Sequence, residues 1–207
     1  ERYDTRYSSK YPPTEYEPPV NTSSTRTVYR SVTDSSGPSS SIRRLLLAMA
    51  KYRLSENAVR HAKESLELHG GNGYIEEFAS PRIFRDAHVN TVWEGPSNIM
   101  ALEILKNLAR EARRTGGDSF VLLQEVEAIL EQVTLPELAE AVETLRQAFD
   151  CVVRDLPMLL QADAMVQNAH ARRFADRLID VCSAAYLLEE AQFDWDRDSS
   201  SRLALVA

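Results

Sequence analysis

Long hydrophobic runs are missing from this 207-residue sequence. No stretch approaches the run of about 18 uncharged apolar residues that a membrane helix needs, and nothing resembles the apolar region of a signal peptide. Both absences point to a soluble protein. Cysteine is scarce as well. Cys151 and Cys182 each sit inside a helical pattern and not in a Cys-x-x-Cys pair, which argues against a disulfide scaffold or a zinc site and for a reducing compartment. Both read as small buried apolar residues. Strand-like alternation of useful length is also lacking, so the expected fold class is all-α, a helical bundle.

Residues 1–41 lack Leu, Ile, Phe, Met and Trp, yet hold five of the eight tyrosines and five of the nine prolines. Such a segment cannot bury enough apolar area to offset its ordering entropy and reads as a disordered leader or linker. The sequence opens on Glu1, as expected of a processed chain or of a segment of a longer one.

What is present begins at Ser41, where "SIRRLLLAMAKYRLSENAVRHAKESLELHGG" carries apolar residues at Ile42, Leu45, Leu46, Met49, Ala58, Ala62 and Leu66. The spacing predicts a long amphipathic helix with Ser41 as N-cap and Gly70 as its stop. At about 40 Å it is longer than a small domain needs for itself, as if it lined a larger bundle. A glycine-rich turn at 70–73 follows, then a short helix capped by Ser80 with Pro81 at its first position. Pro96 is expected to open the next helix, with Ile99, Leu102, Leu105, Leu108 and Ala112 as its stripe and Gly116-Gly117 as its end. Three more helices are expected at about 119–133, 135–155 and 162–193. Leu138, Val142, Leu145, Phe149 and Val152 form one seam and Phe174, Leu178, Val181, Ala185 and Leu188 the other. Thr134 and Glu137 have capping-box spacing.

The net charge of −7 is unevenly spread. Residues 1–41 hold five basic and five acidic side chains, 42–117 twelve and nine, and 118–198 six and seventeen. The acidic C-terminal part repels polyanions, so nucleic acid is a disfavoured partner, and a membrane is not an expected one.

The stretch "VWEGPSNIM", from Val92 to Met100, sets one carboxylate, Glu94, between a bulky apolar pair and a rigid Gly-Pro step at a helix start. Burial beside Trp93 would raise its pKa and the helix dipole would lower it, and the sequence does not say which wins. A solvated loop charge and a catalytic base both fit by position alone. The helix N-terminus at Ser97 and Asn98 offers unpaired N–H groups for an anion, as every helix start does. The "GGNG" run, Gly70 to Gly73, would let a nucleotide approach the backbone, but it lacks the strand-turn-helix context of a dinucleotide fingerprint. His61 and His69 have no partners at metal spacing, so no metal site is expected, and His88 near Glu94 reads as a structural or surface residue.

Together, "KYRLSENAVRHAKESLELHGGNGYIEEF", "RIFRDAHVNTVWEG" and "SNIMALEIL" closely resemble the C-terminal helical domain of the acyl-CoA dehydrogenase family of flavoproteins. The order and spacing of the pieces carry the resemblance, which places that domain at 42–116. Residues 117–193 look like the extra acidic C-terminal helices of branches that include the alkylation-protection flavoproteins, and 194–207 are left as a tail. The resemblance implies an FAD-dependent oxidoreductase of fatty acid metabolism. Glu94 would abstract the α-proton of an acyl-CoA thioester while a hydride leaves for flavin N5, with the backbone at Glu94-Gly95 polarising the thioester carbonyl and Gly95 in the substrate site. It assigns Gly70, Gly71, Gly73, Ser97 and Asn98 to FAD, the glycines approaching the cofactor of a neighbouring subunit. Pro96 departs from the Thr or Ser of many members and removes a hydroxyl and an N–H. A homodimer or homotetramer, an electron-transfer flavoprotein or oxygen as acceptor, and a location in the cytoplasm or mitochondrial matrix follow from the same resemblance. The family's N-terminal helical and central β-domains have no counterpart in residues 1–41, so this chain alone is expected to bind FAD weakly and to turn over no acyl-CoA. Two other readings stand beside this one: a non-catalytic helical interaction module, and an alkylation-response flavoprotein.

Overall fold

The computed structural model describes residues 39–117 and 119–198, and the side chains of 42–117 and 119–197. The expected leader therefore lies outside the described residues. Among them every regular element is helical: α1 (Ser39–Leu68), α2 (Gly71–Tyr74), α3 (Ser80–Val89), α4 (Ser97–Thr115), α5 (Val121–Gln132), a 3-10 turn (Pro136–Leu138), α6 (Ala139–Gln161) and α7 (Ala164–Asp198). The all-α expectation holds.

The core is one continuous cluster. Leu45, Met49 and Tyr52 of α1 meet Ala101, Ile104 and Leu108 of α4, and the cluster runs on through Leu122 and Val126 of α5 to Phe149 and Val152 of α6 and Leu178 and Ala185 of α7. Helix α4 packs on both α1 and α7, and α5 and α6 pack on α7. The α7 seam reads true at every predicted position, with Phe174, Leu178, Val181, Ala185 and Leu188 all buried. In α4 the buried face is rotated from the predicted stripe: Ala101, Ile104, Leu105 and Leu108 are buried, whereas Ile99 is exposed. A helix flanked on two sides by partners centres its buried face between them, which a single-stripe reading misses.

Several boundaries move, each for a local reason. Pro96 is the N-cap of α4 and not its first residue, with φ −54° and ψ 154°. Ser80 is the first helical residue of α3, and Ala79 holds the cap position without a side-chain bond. The Thr134–Glu137 capping box does not form. Pro136 opens a 3-10 turn ahead of α6, and the amides of Thr134 and Leu135 donate to Gln192 Oε1 of α7 at 3.0 and 2.9 Å. Helix α6 continues through Pro157 to Gln161. The carbonyl that Pro157 leaves without an amide is that of exposed Val153, where water can satisfy it. Helix α7 extends to Asp198, past the expected end at 193.

The one buried carboxylate of the described core also caps a helix. Glu111 of α4 is 3% exposed, and its Oε1 accepts the Val121 amide at the first residue of α5 at 2.9 Å. A carboxylate there meets both an orphan donor and the positive end of the helix dipole.

Candidate functional site

Glu94 sits in the bend between α3 and α4 with φ 55°, and among the described residues it is the only non-glycine with a positive φ. An L-residue in the left-handed region is sterically disfavoured, and such strain persists only where the surroundings over-determine it. Here both flanks are fixed. On the α3 side, the Trp93 amide donates to Val89 O at 3.2 Å, Thr91 Oγ1 donates to His88 O at 2.8 Å, and Lys51 of α1 donates through Nζ to Asn90 O. On the α4 side, Ser97 Oγ donates to Glu56 of α1, and the first turn closes with the Met100 amide on Pro96 O at 3.0 Å. Between the flanks, Gly95 at φ 112° precedes a proline, which disfavours the helical region and keeps the chain turning. A Cβ on Gly95 would lie 2.4 Å from Met100 Cε.

The Glu94 side chain is exposed, and so is Trp93 beside it at 61%. Burial of Glu94 beside Trp93 is thus absent among the described residues. His88 is likewise exposed, and its ring packs edge-on against Phe84 at 4.6 Å.

The three glycines of the turn have three different reasons to be glycine. Gly70 holds φ 57° between α1 and α2, a conformation that glycine adopts without steric cost. Gly73 is buried, and a Cβ there would fall 2.0 Å from Leu66 O, so its role is the close approach of α2 to α1. Gly71 has neither constraint. Its φ is not positive and nothing lies within 4 Å of a Cβ placed on it. Among the described residues nothing requires its lack of a side chain. Ser97 is half-buried with its hydroxyl proton committed to Glu56, and Asn98 is exposed on the first turn of α4.

The structure also brings in residues that local sequence reading did not single out. Arg172 of α7 donates from Nη2 to Glu56 Oε1 at 3.1 Å and from Nε to the Tyr52 hydroxyl at 3.4 Å. Tyr52 donates to Asp176 Oδ1 at 2.9 Å, and burial, the largest of several influences, pushes its pKa up. These partners lie 116 to 124 residues apart in sequence, so no short-range signal announces them.

No group of three or more His, Cys, Asp or Glu that could hold a metal ion occurs among the described residues. No described helix is long and apolar enough to cross a membrane. Cys182 is buried and its thiol is pushed up to about 12 by that burial, which fits an inert packing residue. Cys151 is free and partly exposed.

Large apolar side chains are exposed along this stretch. Nine of the fifteen exposed large hydrophobic side chains among the described residues lie between residues 68 and 99: Leu68, Tyr74, Ile75, Phe78, Ile83, Val89, Val92, Trp93 and Ile99. Exposed apolar concentrations of this kind are typical of surfaces that contact another protein, a membrane or a ligand.

Residues 23–109 match the family described as acyl-CoA dehydrogenase, C-terminal domain, and the match starts inside the stretch read as leader. Acyl-CoA dehydrogenase family member 11 of Caenorhabditis elegans is 29% identical over 156 residues, covering 72% of this chain and 24% of that protein. The putative acyl-CoA dehydrogenase AidB of Escherichia coli K12 is 39% identical over 69 residues, 33% of this chain and 13% of its own length. The human mitochondrial short-chain specific acyl-CoA dehydrogenase is 38% identical over 66 residues, 32% of this chain and 15% of its own. The chain thus spans a quarter or less of each of these three relatives. The ordered motifs, the helical architecture and these matches lead to one conclusion: over residues 23–109 the chain matches the C-terminal domain of the acyl-CoA dehydrogenase family.

Proposed function

We propose that this chain is the C-terminal part of an FAD-dependent acyl-CoA dehydrogenase in which Glu94 is the catalytic base. The observation that carries the reading is the left-handed backbone of Glu94 in a bend anchored at both ends. A chain that needed only a turn there would place glycine at that position, as it does at Gly70 and Gly116. Keeping a carboxylate at a strained point is the signature of a group held for its chemistry.

In this reading the Glu94 carboxylate takes the α-proton of an acyl-CoA thioester. An α-C–H is a very weak acid, so the base must be aimed from a stiff backbone and desolvated when substrate is in place. The Glu94 amide N–H donates to the thioester carbonyl and stabilises the charge that develops on it. FAD held near Gly70, Gly71 and Asn98 would supply the acceptor for the hydride lost from the β-carbon. The exposure of Glu94 and of the apolar residues around it fits a site whose remaining walls belong to other domains or another subunit.

The residues present fit FAD. Gly71 leaves open space beside the backbone and has no internal reason to lack a side chain. Asn98 is exposed at the N-terminus of α4, where first-turn N–H groups favour a phosphate. Gly70 completes that approach. Gly73 has its packing role instead, and Ser97 would contribute its oxygen or backbone, since its hydroxyl proton is taken. The other subunit of a homodimer or homotetramer and an electron acceptor, an electron-transfer flavoprotein or oxygen, belong to the same proposal.

The test joins this segment to flavin-holding domains, native or those of the human short-chain relative, and follows dye reduction by an acyl-CoA. Glu94→Gln should lower turnover by at least about 100-fold, the usual range for loss of a positioned base, with FAD absorbance unchanged. Full activity in that variant would remove Glu94 from the mechanism.

A second reading, an assembly module without catalysis, is favoured by the apolar surface at 68–99. Loss of association in Trp93→Ser with activity never detected in the joined protein would support it over the first.

A further inference from the structure

We propose that Arg172 of α7 is a positioning residue for the Glu94 bend, acting through Glu56 and Ser97, so that the added C-terminal helices brace the bend. This concerns how the bend is held and stands independently of the chemistry proposed for Glu94. Its consequence for turnover rests on the reading above.

The geometry is a two-point clamp with a lock behind it. Lys51 and Glu56 both belong to α1, five positions apart, a rise of about 7.5 Å along the helix axis. Lys51 donates to Asn90 O at the start of the bend, and Glu56 receives the Ser97 hydroxyl at its end. One rigid helix thereby fixes the span within which Glu94 takes φ 55°. Glu56 itself is a long, partly exposed side chain, with its own side-chain exposure at 37%, and its carboxylate is held from outside α1. Its partner is Arg172, whose guanidinium reaches Glu56 Oε1 at 3.1 Å and lies over the Tyr52 ring at 5.9 Å from the centroid. Tyr52 is 2% exposed and its hydroxyl is tied to Asp176, one turn further along α7. Arg53 adds a parallel tie, donating to Asp176 O at 3.2 Å and Asp180 Oδ1 at 2.7 Å. The register between α1 and α7 is therefore fixed by Tyr52 and Arg53, and Arg172 is left to present a fixed fork to Glu56. A fork-shaped cation suits this place because it meets a carboxylate and an aromatic ring together.

The magnitudes separate this role from a general structural one. A half-exposed ion pair contributes little to global stability. Its loss should be felt where it orders a strained turn, not in the core.

The experiment is native-state amide exchange on the full 207-residue chain, following peptides that cover residues 90–100. Arg172→Ala should raise exchange there by about two- to fivefold while core peptides of α6 keep their protection. Arg177, on the same helix as Arg172, makes a comparable pair at 3.0 Å with Asp155 of α6, and Arg177→Ala should leave residues 90–100 unchanged. In a Glu56→Gln background, Arg172→Ala should add nothing; with Glu56 intact, Arg172→Lys should keep part of the protection that Arg172→Ala loses. An unchanged rate in Arg172→Ala, an equal rise in Arg177→Ala, or an undiminished effect of Arg172→Ala in the Glu56→Gln background would overturn the proposal. Failure of Glu94 as a base would leave all four exchange results as expected.

Discussion

Two regions of this molecule treat their apolar residues in opposite ways. From α4 onward nearly every large apolar side chain on a seam is inside: Ile104, Leu108, Val126, Val152, Leu178 and Leu188 are all within a few per cent of full burial. Between 68 and 99 the same residue types face out, with Leu68 88%, Tyr74 80% and Trp93 61% exposed. In that stretch α3 buries only Pro81 and Ala87, and α2 only Gly73. The contrast shows that one part of the chain completes its own core while the other leaves its large apolar side chains uncovered among the described residues. The strained bend and Gly71 both lie in the uncovered part.

Substitutions break the comparison in order of size. Leu178→Ala, at a position with no exposed area, should cost about 2–5 kcal/mol in chemical denaturation, as large-to-small changes in a packed core do. Trp93→Ala should change stability by less than about 0.5 kcal/mol, since it removes an exposed ring that the chain itself does not cover. Equal losses at the two sites would erase the distinction.

Gly73→Ala sharpens the contrast inside the glycine turn. Its Cβ would strike backbone at 2.0 Å, so α2 must shift, at a cost of about 1–3 kcal/mol. Gly71→Ala should leave the chain's melting point where it is and weaken FAD binding in the joined protein. Smaller, and opposite in sign, is Glu94→Gly. Relief of the left-handed strain should raise stability by about 0.5–1 kcal/mol, read as a thermal midpoint a few degrees higher.

The smallest effect is a pH dependence in the acidic half. Burial, then the charge of Glu125, then that of Glu190, hold the Glu189 carboxyl above its usual range. A carboxyl raised in the folded state retains protons that the unfolded state has released, so its ionisation costs stability as pH rises from the ordinary carboxylate range through the raised value. Glu189→Gln should therefore raise the melting point more at pH 7 than at pH 4.

Helix existence and order were legible because each seam repeats locally; Phe174 through Leu188 is the clearest case. The capping box at Thr134 misled because Gln192, nearly sixty residues away, takes those amides. The α4 stripe was misplaced by about one position because two neighbours, not one, cover that helix. At the candidate site, Glu94 and the glycines stood out through turn chemistry and resemblance. The anchors Lys51, Glu56 and Arg172 did not, since a charged residue on an amphipathic helix looks the same whether it clamps a loop or faces water.

The most direct measurement of the central claim is exchange of the α-protons of a bound acyl-CoA with deuterated solvent, followed by mass spectrometry in the joined, FAD-loaded protein. The account predicts exchange that is lost in Glu94→Gln with the flavin spectrum unchanged. Exchange at the wild-type rate in that variant would contradict it.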